Sequence, residues 1–401
     1  MNMTWNFNSA GQIVFGVGAL RRLPGLIGRL GGARVAVLTD PGLEKAGLLH
    51  RVVTVLTDAG LQPFVYAQAM PEPDMASVHR CIDALRSASP DLLVAVGGGS
   101  SIDLAKIVAV LLTHEGEVSD YFGENKVPGP VMPIIAIPTT AGTGSEVSPV
   151  AIVTDDRSGM KVGLSDNRLR PAVALLDPEL TLGLPPYITA CTGMDALTQA
   201  IEAYYGRDHR WVVAESAGGD PIYQGSNPMS DLLAERGIQL IAANLSLAVH
   251  QGSNLEARTN MLLGNIFSAL AFSNSGVSWV HAVAYPIAER VPRPHGEVVG
   301  LLLPYGMRYN ACVAPEKFAR IGQLLGVPAD SPVPALVDGG IERVLALLRT
   351  LGLPSRLSQI GITGDQIEPI VDASLTIERL NRLNPRALQR SELVQLLQGA
   401  L

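Results

Sequence analysis

Asp195 and Gln199 stand four residues apart in Gly193-Met194-Asp195-Ala196-Leu197-Thr198-Gln199-Ala200-Ile201-Glu202-Ala203-Tyr204. A helix over this stretch would put both side chains on one face. A carboxylate and an amide oxygen placed there could point at one ion, and the imidazoles of His281 and His295, far downstream, would complete a mononuclear site. An ion held in this way can act as a Lewis acid on a substrate oxygen.

A second kind of chemistry is written earlier in the chain. The apolar run Leu92-Leu93-Val94-Ala95-Val96 leads into Gly97-Gly98-Gly99-Ser100-Ser101-Ile102-Asp103-Leu104-Ala105-Lys106. A strand ending in glycines lets backbone amides approach a diphosphate, and a following helix adds its N-terminal N–H groups and positive dipole end. Ser100 and Ser101 add hydroxyls. The segment Pro138-Thr139-Thr140-Ala141-Gly142-Thr143-Gly144-Ser145-Glu146 also follows an apolar run. Its Thr139, Thr140, Thr143 and Ser145 could hydrogen-bond a ribose, a phosphate or a carboxamide. Neither segment is Gly-x-Gly-x-x-Gly or a Walker loop, and either one alone also fits a tight turn with a serine cap. Asp40, at the end of Val35-Ala36-Val37-Leu38-Thr39, can bind an adenosine ribose and repel a 2′-phosphate, which favours NAD over NADP. The same residue is as well placed to cap a helix before Pro41.

These groups need elements to hold them. Apolar, β-branched runs at 35–38, 64–66, 92–96, 134–137, 150–153 and 173–176 alternate with helical patterns, which predicts a parallel sheet covered by helices on both faces. After Leu184-Pro185-Pro186 the strand signal ends. Helices are expected near 188–205, 229–250, 255–273, 277–289, 297–310, 314–325, 339–351, 364–373 and 390–399. The expectation is therefore an α/β, Rossmann-like dinucleotide-binding domain over 1–184 and an all-α domain over 185–401. Pro185-Pro186 is the hinge, with a ligand cleft there. Gly206 to Pro228, interrupted by Gly218, Gly219, Pro221 and Gly225, reads as a long loop, and such loops are often functional.

Composition excludes several other classes. The 401 residues are 47% hydrophobic and 17% charged, enough for a large core. A net charge of −7 and 5% aromatic content argue against nucleic-acid binding. No run approaches the roughly 18 uninterrupted apolar residues of a membrane span. The first arginines are Arg21 and Arg22, so the start lacks the basic region of an export signal and a cytoplasmic location is expected. Cys81, Cys191 and Cys312 lack metal-site spacing and read as buried packing residues.

Taken together, the Gly97–Lys106 and Pro138–Glu146 loops, Asp195-Ala196-Leu197-Thr198 with Ala200 to Tyr204, His281, and Pro294-His295-Gly296 resemble the iron-containing (group III) alcohol dehydrogenase family. The resemblance runs from Gly16 to Arg386. It implies metal ligands at Asp195, Gln199, His281 and His295, and a divalent ion, Fe²⁺ or Zn²⁺. It also implies NAD contacts at Asp40, Gly97, Gly98, Gly99, Ser100, Ser101, Asp103, Thr139, Thr140, Thr143, Ser145 and Lys161. A homodimer or larger homo-oligomer and a small alcohol or aldehyde substrate follow as well.

Two positions depart from the family pattern. Gln199 replaces the usual histidine, and an amide oxygen is a weaker donor than imidazole for Fe²⁺ or Zn²⁺. Tyr285 stands where many members have a second histidine. With Pro221 to Asp231 it resembles the hydroxyacid–oxoacid transhydrogenase branch, which passes a hydride through bound NAD. Either His281 or His295 could be a proton relay instead of a ligand. Without an ion, Gln199 and Tyr285 could stabilise developing negative charge. A metal-free, maleylacetate-type oxo-acid reductase, with Arg207, Arg210 or Arg293 meeting a carboxylate, is an alternative. So is an inactive nucleotide-binding protein.

Overall fold

The computed structural model describes residues 3–157, 159, 161–212 and 221–401, so Gly218 and Gly219 of the expected loop lie outside the described residues. The described residues divide into two units. One comprises Asn8–Leu184 with residues 221–222, and the other comprises residues 3–7, 185–212 and 223–401. Residues 3–7 thus join the second unit although they precede the first strand, and Asn6 exchanges two backbone hydrogen bonds with the Gln224 side chain, at 2.8 and 3.0 Å.

The strands are β1 (Gln12–Phe15), β2 (Val35–Leu38), β3 (Phe64–Tyr66), β4 (Leu92–Gly97), β5 (Gly123–Glu124), β6 (Ile134–Pro138), β7 (Val150–Thr154), β8 (Lys161–Ser165) and β9 (Val173–Leu176). Six form a fully parallel sheet in the order β1-β9-β6-β4-β2-β3. β2, β4, β6 and β9 are buried along their whole length, as expected of strands covered on both faces. The chain moves from β2 outward to β3, then returns to place β4 on the other side of β2. Strand order therefore reverses between β2 and β4, and ligands of open α/β sheets bind at the carboxyl ends beside such a reversal. Asp40 follows β2, and Gly97 ends β4.

Two expectations about strands need correction. The 150–153 run is not in the parallel sheet: β7 pairs antiparallel with β8, from Val150↔Ser165 to Thr154↔Lys161, in a separate three-stranded sheet with β5. Its pattern of alternating burial is that of a strand covered on one face, unlike the continuous burial of the parallel strands. β1 was not anticipated, although Ile13-Val14-Phe15 is an apolar run; it is an edge strand with one fully buried residue, Val14.

The second unit is helical. Its long helices are Pro186–Tyr205, Pro228–His250, Leu255–Ser275, Trp279–Ala288, His295–Asn310, Pro315–Leu324, Val333–Thr350, Ile367–Leu375 and Arg390–Gln398. A short helix, Glu378–Asn381, was not anticipated, and Val333–Thr350 starts earlier than expected. Pro186 occupies the first turn of its helix, where a missing N–H costs nothing. Pro228–His250 is long and apolar enough by composition to cross a membrane. It packs closely on Leu255–Ser275: a Cβ on Gly237 would lie 3.1 Å from the Ser268 nitrogen, and one on Gly264 2.9 Å from Ile241.

Candidate metal centre and nucleotide loops

The Pro186–Tyr205 helix carries Asp195, Gln199 and Glu202 at i, i+4 and i+7, one face of a helix, and all three are buried. Trp279–Ala288 contributes His281 in the same way, with Tyr285 one turn along. His295 opens the His295–Asn310 helix after Pro294. Gly296 sets how close that opening comes: a Cβ there would lie 2.1 Å from the Cys191 carbonyl oxygen and 3.1 Å from the Asp195 Cβ. Only a hydrogen side chain lets the two helices meet at this point.

Asp195, His281 and His295 each offer a ligand atom, and those atoms all lie within 4.8 Å of one another. His281 Nε2 is 3.6 Å from Asp195 Oδ1. Asp195 Oδ1, Gln199 Oε1 and His281 Nε2 are all buried with no hydrogen-bond partner. Leaving such atoms unsatisfied is costly. A cation would satisfy all three at once, so the residues present fit a divalent ion.

Glu202 orients this set. Its carboxylate accepts from His281 Nδ1, which turns Nε2 toward Asp195. It also accepts from Ser278 Oγ at 2.6 Å, the Val280 N–H at 3.0 Å and the Tyr205 hydroxyl at 3.2 Å. Burial alone would raise the Glu202 pKa, but His281, the Ser278 hydroxyl and the Val280 N–H hold it below its ordinary value. Burial likewise disfavours the His281 imidazolium, yet Glu202 and Asp195 outweigh it and push the pKa up to about 10. A carboxylate behind a metal-ligating imidazole fixes its tautomer and raises its basicity. Glu202 is a member of this set that the sequence reading missed, although its i+7 spacing from Asp195 was the signal available.

Tyr285 and His295 stack with ring centroids 6.1 Å apart, and the rings of His281 and His295 are 5.4 Å apart. Arg379 donates to the Tyr285 hydroxyl at 3.1 Å. The arginines singled out from the sequence engage elsewhere. Arg207 donates to the Asn384 carbonyl at 3.1 Å, Arg210 pairs with Asp208 at 2.8 Å, and Arg293 lies 3.6 Å from Glu297.

In the α/β unit, the Gly99–Thr113 helix has no side chain capping its N-terminus, so its first amides face the glycine turn. Gly97 has φ +153°, a conformation that favours glycine. A Cβ on it would lie 2.5 Å from Ser101 Oγ, and one on Gly99 2.9 Å from Thr143. The two loops therefore touch: Gly98 lies beside Thr140, and the Thr139 N–H donates to the Gly97 carbonyl at 3.0 Å. Gly98, Gly99, Thr140 and Thr143 are half-buried, whereas Ser101, Thr139 and Ser145 are buried.

Other residues of the expected nucleotide set have local partners. Asp40 caps the Pro41–Lys45 helix, accepting from Gly42 and Leu43 N–H at 2.8 and 3.1 Å. Ser100 donates to the Pro71 carbonyl. Asp103 is buried and accepts from the Ile152 N–H at 3.0 Å, tying the helix to β7. Lys161 pairs with Glu72 at 2.5 Å. Beneath the loops, the fully buried Lys106 donates to the Ser148 carbonyl, the Ser148 hydroxyl and the Val150 carbonyl at 2.9, 3.1 and 2.8 Å.

Comparison with known proteins agrees with both halves. A family model described as iron-containing alcohol dehydrogenase matches residues 10–178, and one for the C-terminal part of the Fe-containing alcohol dehydrogenase family matches 222–401. The sulfoacetaldehyde reductase of Bilophila wadsworthia is 32% identical, covering 97% of each chain. A solved 1,3-propanediol oxidoreductase superposes with TM-score 0.92 at 31% identity, over 99% of this chain and 100% of the other. A sulfoacetaldehyde reductase from Bifidobacterium kashiwanohense, solved in complex with NAD+, gives 0.86 at 28% identity, over 100% and 99%.

Proposed function

The chain belongs to the iron-containing alcohol dehydrogenase family, whose enzymes are alcohol–aldehyde oxidoreductases using NAD and a divalent metal; from that premise we propose that it interconverts a small alcohol and its aldehyde or ketone at Asp195, Gln199, His281 and His295. These four residues would hold the ion, which when bound supplies a Lewis acid for the substrate oxygen. The observation that carries this reading is the set of three buried, unsatisfied atoms on Asp195, Gln199 and His281.

The remaining steps belong to side chains and backbone. Glu202 holds the His281 proton on Nδ1, so that Nε2, once an ion has displaced its own proton, would be the lone-pair donor. Gly97, Gly98 and Gly99, with the open amides of the Gly99–Thr113 helix, bind the diphosphate of NAD, and Thr140 and Thr143 supply hydroxyls beside it. Asp103 and Lys106 hold that platform from below through Ile152, Ser148 and Val150. The nicotinamide C4 accepts or donates the hydride, so the protein's task is to orient it and exclude water.

A panel of primary alcohols with NAD, followed by absorbance of NADH, tests the reading. NADH should form with the wild type, and His281→Ala should lose most of the rate while still binding NAD. No NADH with any alcohol, and no NAD binding by calorimetry, would overturn it.

A further inference from the structure

Tyr187, Cys191, Asp195 and Gln199 follow one another at intervals of four along the Pro186–Tyr205 helix and stand in one row on it. The second pair belongs to the candidate metal centre. The first pair meets the segment Arg293-Pro294-His295-Gly296-Glu297, which presents His295. Gly296 closes on the Cys191 carbonyl. One residue further, the Glu297 carboxylate accepts from the Tyr187 hydroxyl at 2.5 Å, across 110 residues of sequence. The same carboxylate lies 3.6 Å from the Arg293 guanidinium. It therefore clips the chain on both sides of His295 and ties that turn to the helix carrying Asp195.

Packing does not account for an acid at this position. Glu297 is 2% exposed, and its Oε1 is buried with no hydrogen-bond partner among the described residues. Val298, Val299, Leu301 and Leu302, which follow it, are apolar and buried. Taking a carboxylate out of water is costly, and a leucine of similar volume would fill the place without that cost. Tyr187 is 45% exposed, so its hydroxyl has no need of Glu297 and could bond to water instead. What the pair provides is a fixed register between two helices whose side chains must converge on one ion.

We propose that Glu297 and Tyr187 are positioning residues that set His295 against Asp195, so that ion binding depends on a hydrogen bond made outside the ligand set. The proposal rests on the metal-centre reading and adds to it the device that aligns the two helices. The competing role is a packing anchor, whose loss lowers stability and reaches the ion only through that loss.

The two roles separate in the wild type, Glu297→Leu, Glu297→Gln and Tyr187→Phe. Three measurements are needed: Zn²⁺ affinity by competition with a chelating dye, the visible absorption of Co²⁺-loaded protein, and thermal unfolding of metal-free protein. Glu297→Leu and Tyr187→Phe should each lower Zn²⁺ affinity about tenfold and alter the Co²⁺ spectrum, which reports ligand geometry. Their metal-free unfolding temperatures should stay close to that of the wild type. Glu297→Gln, whose amide oxygen can still accept from Tyr187, should keep most of the affinity. Tyr187→Phe, at a partly exposed position, carries the test if Glu297→Leu does not fold. Wild-type affinity and an unaltered Co²⁺ spectrum in the Leu and Phe variants would overturn the proposal. So would a loss of affinity confined to variants whose metal-free form has lost stability. Uptake of neither ion by the wild type would instead remove the metal-centre reading, and this proposal with it.

Discussion

His281 serves two partners at once. Its Nδ1 is tied to Glu202 and its Nε2 points at Asp195, so the ring cannot rotate without giving up one of them. Glu202 is in turn held by Ser278, Val280 and Tyr205. Replacing Glu202 with Gln keeps the size but removes the charge and weakens the hold on the Nδ1 proton. We expect ion affinity to fall by about 10–100-fold, measured by competition with a chelating dye, with the circular dichroism unchanged. Unchanged affinity would mean that Glu202 is only a packing residue. The four-residue spacing of Asp195 and Gln199 is local and readable in the sequence, whereas His281 and His295, far along the chain, were joined to them through the family resemblance; the structure brings Asp195, His281 and His295 together. The contact of Arg379 with Tyr285, 94 residues away, has no local signal.

At the scale of elements, the site depends on how closely helices approach. Gly296 touches the Cys191 carbonyl, and Gly300 faces Met194, where a Cβ would lie 2.9 Å from the Met194 Cβ. Gly306 does the same toward Val280, at 2.2 Å. Gly296 and Gly300, four residues apart, form a seam against the Pro186–Tyr205 helix, and Gly306 faces the Trp279–Ala288 helix instead. Gly296→Ala must push that helix away from backbone, which cannot yield as a flexible side chain can. It should destabilise the protein by about 1–3 kcal/mol or more in urea unfolding and weaken ion binding, because His295 is the adjacent residue. Wild-type stability and affinity would show that the contact is not needed. The parallel strands and long helices were readable because burial on two faces, or on one helical stripe, leaves a plain pattern. β7 was assigned to the wrong sheet because an apolar run of four residues does not encode its partner. The partner, β8, reads Lys161-Val162-Gly163-Leu164-Ser165, too mixed to announce a strand.

For the molecule as a whole, burial divides the cysteines. Cys81 and Cys191 are buried, and burial first of all pushes both thiols up to about 12, where they are not nucleophilic at neutral pH. Cys312 is exposed, contrary to the expectation that all three are packing residues: it lies in the 3₁₀ turn Ala311–Val313, after the helix has left the core. A thiol reagent should therefore titrate about one cysteine per native chain and three after denaturation. Rapid labelling of Cys81 or Cys191 in the native protein would contradict the burial described. The division into an α/β and a helical unit was visible in the loss of strand signal after Leu184. The short N-terminal segment that joins the helical unit was not, because it is bound through the Gln224 side chain rather than by a periodic pattern.

The central claim is that Asp195, Gln199, His281 and His295 bind one divalent ion on which alcohol–aldehyde interconversion depends. Protein stripped with a chelator should be titrated with Fe²⁺ or Zn²⁺ while metal content, by elemental analysis, and NAD reduction are followed together. The account predicts that both rise in step and saturate at about one ion per chain, and that His281→Ala and His295→Ala lose both. Full turnover by metal-free protein, or ion uptake indifferent to those two histidines, would contradict it.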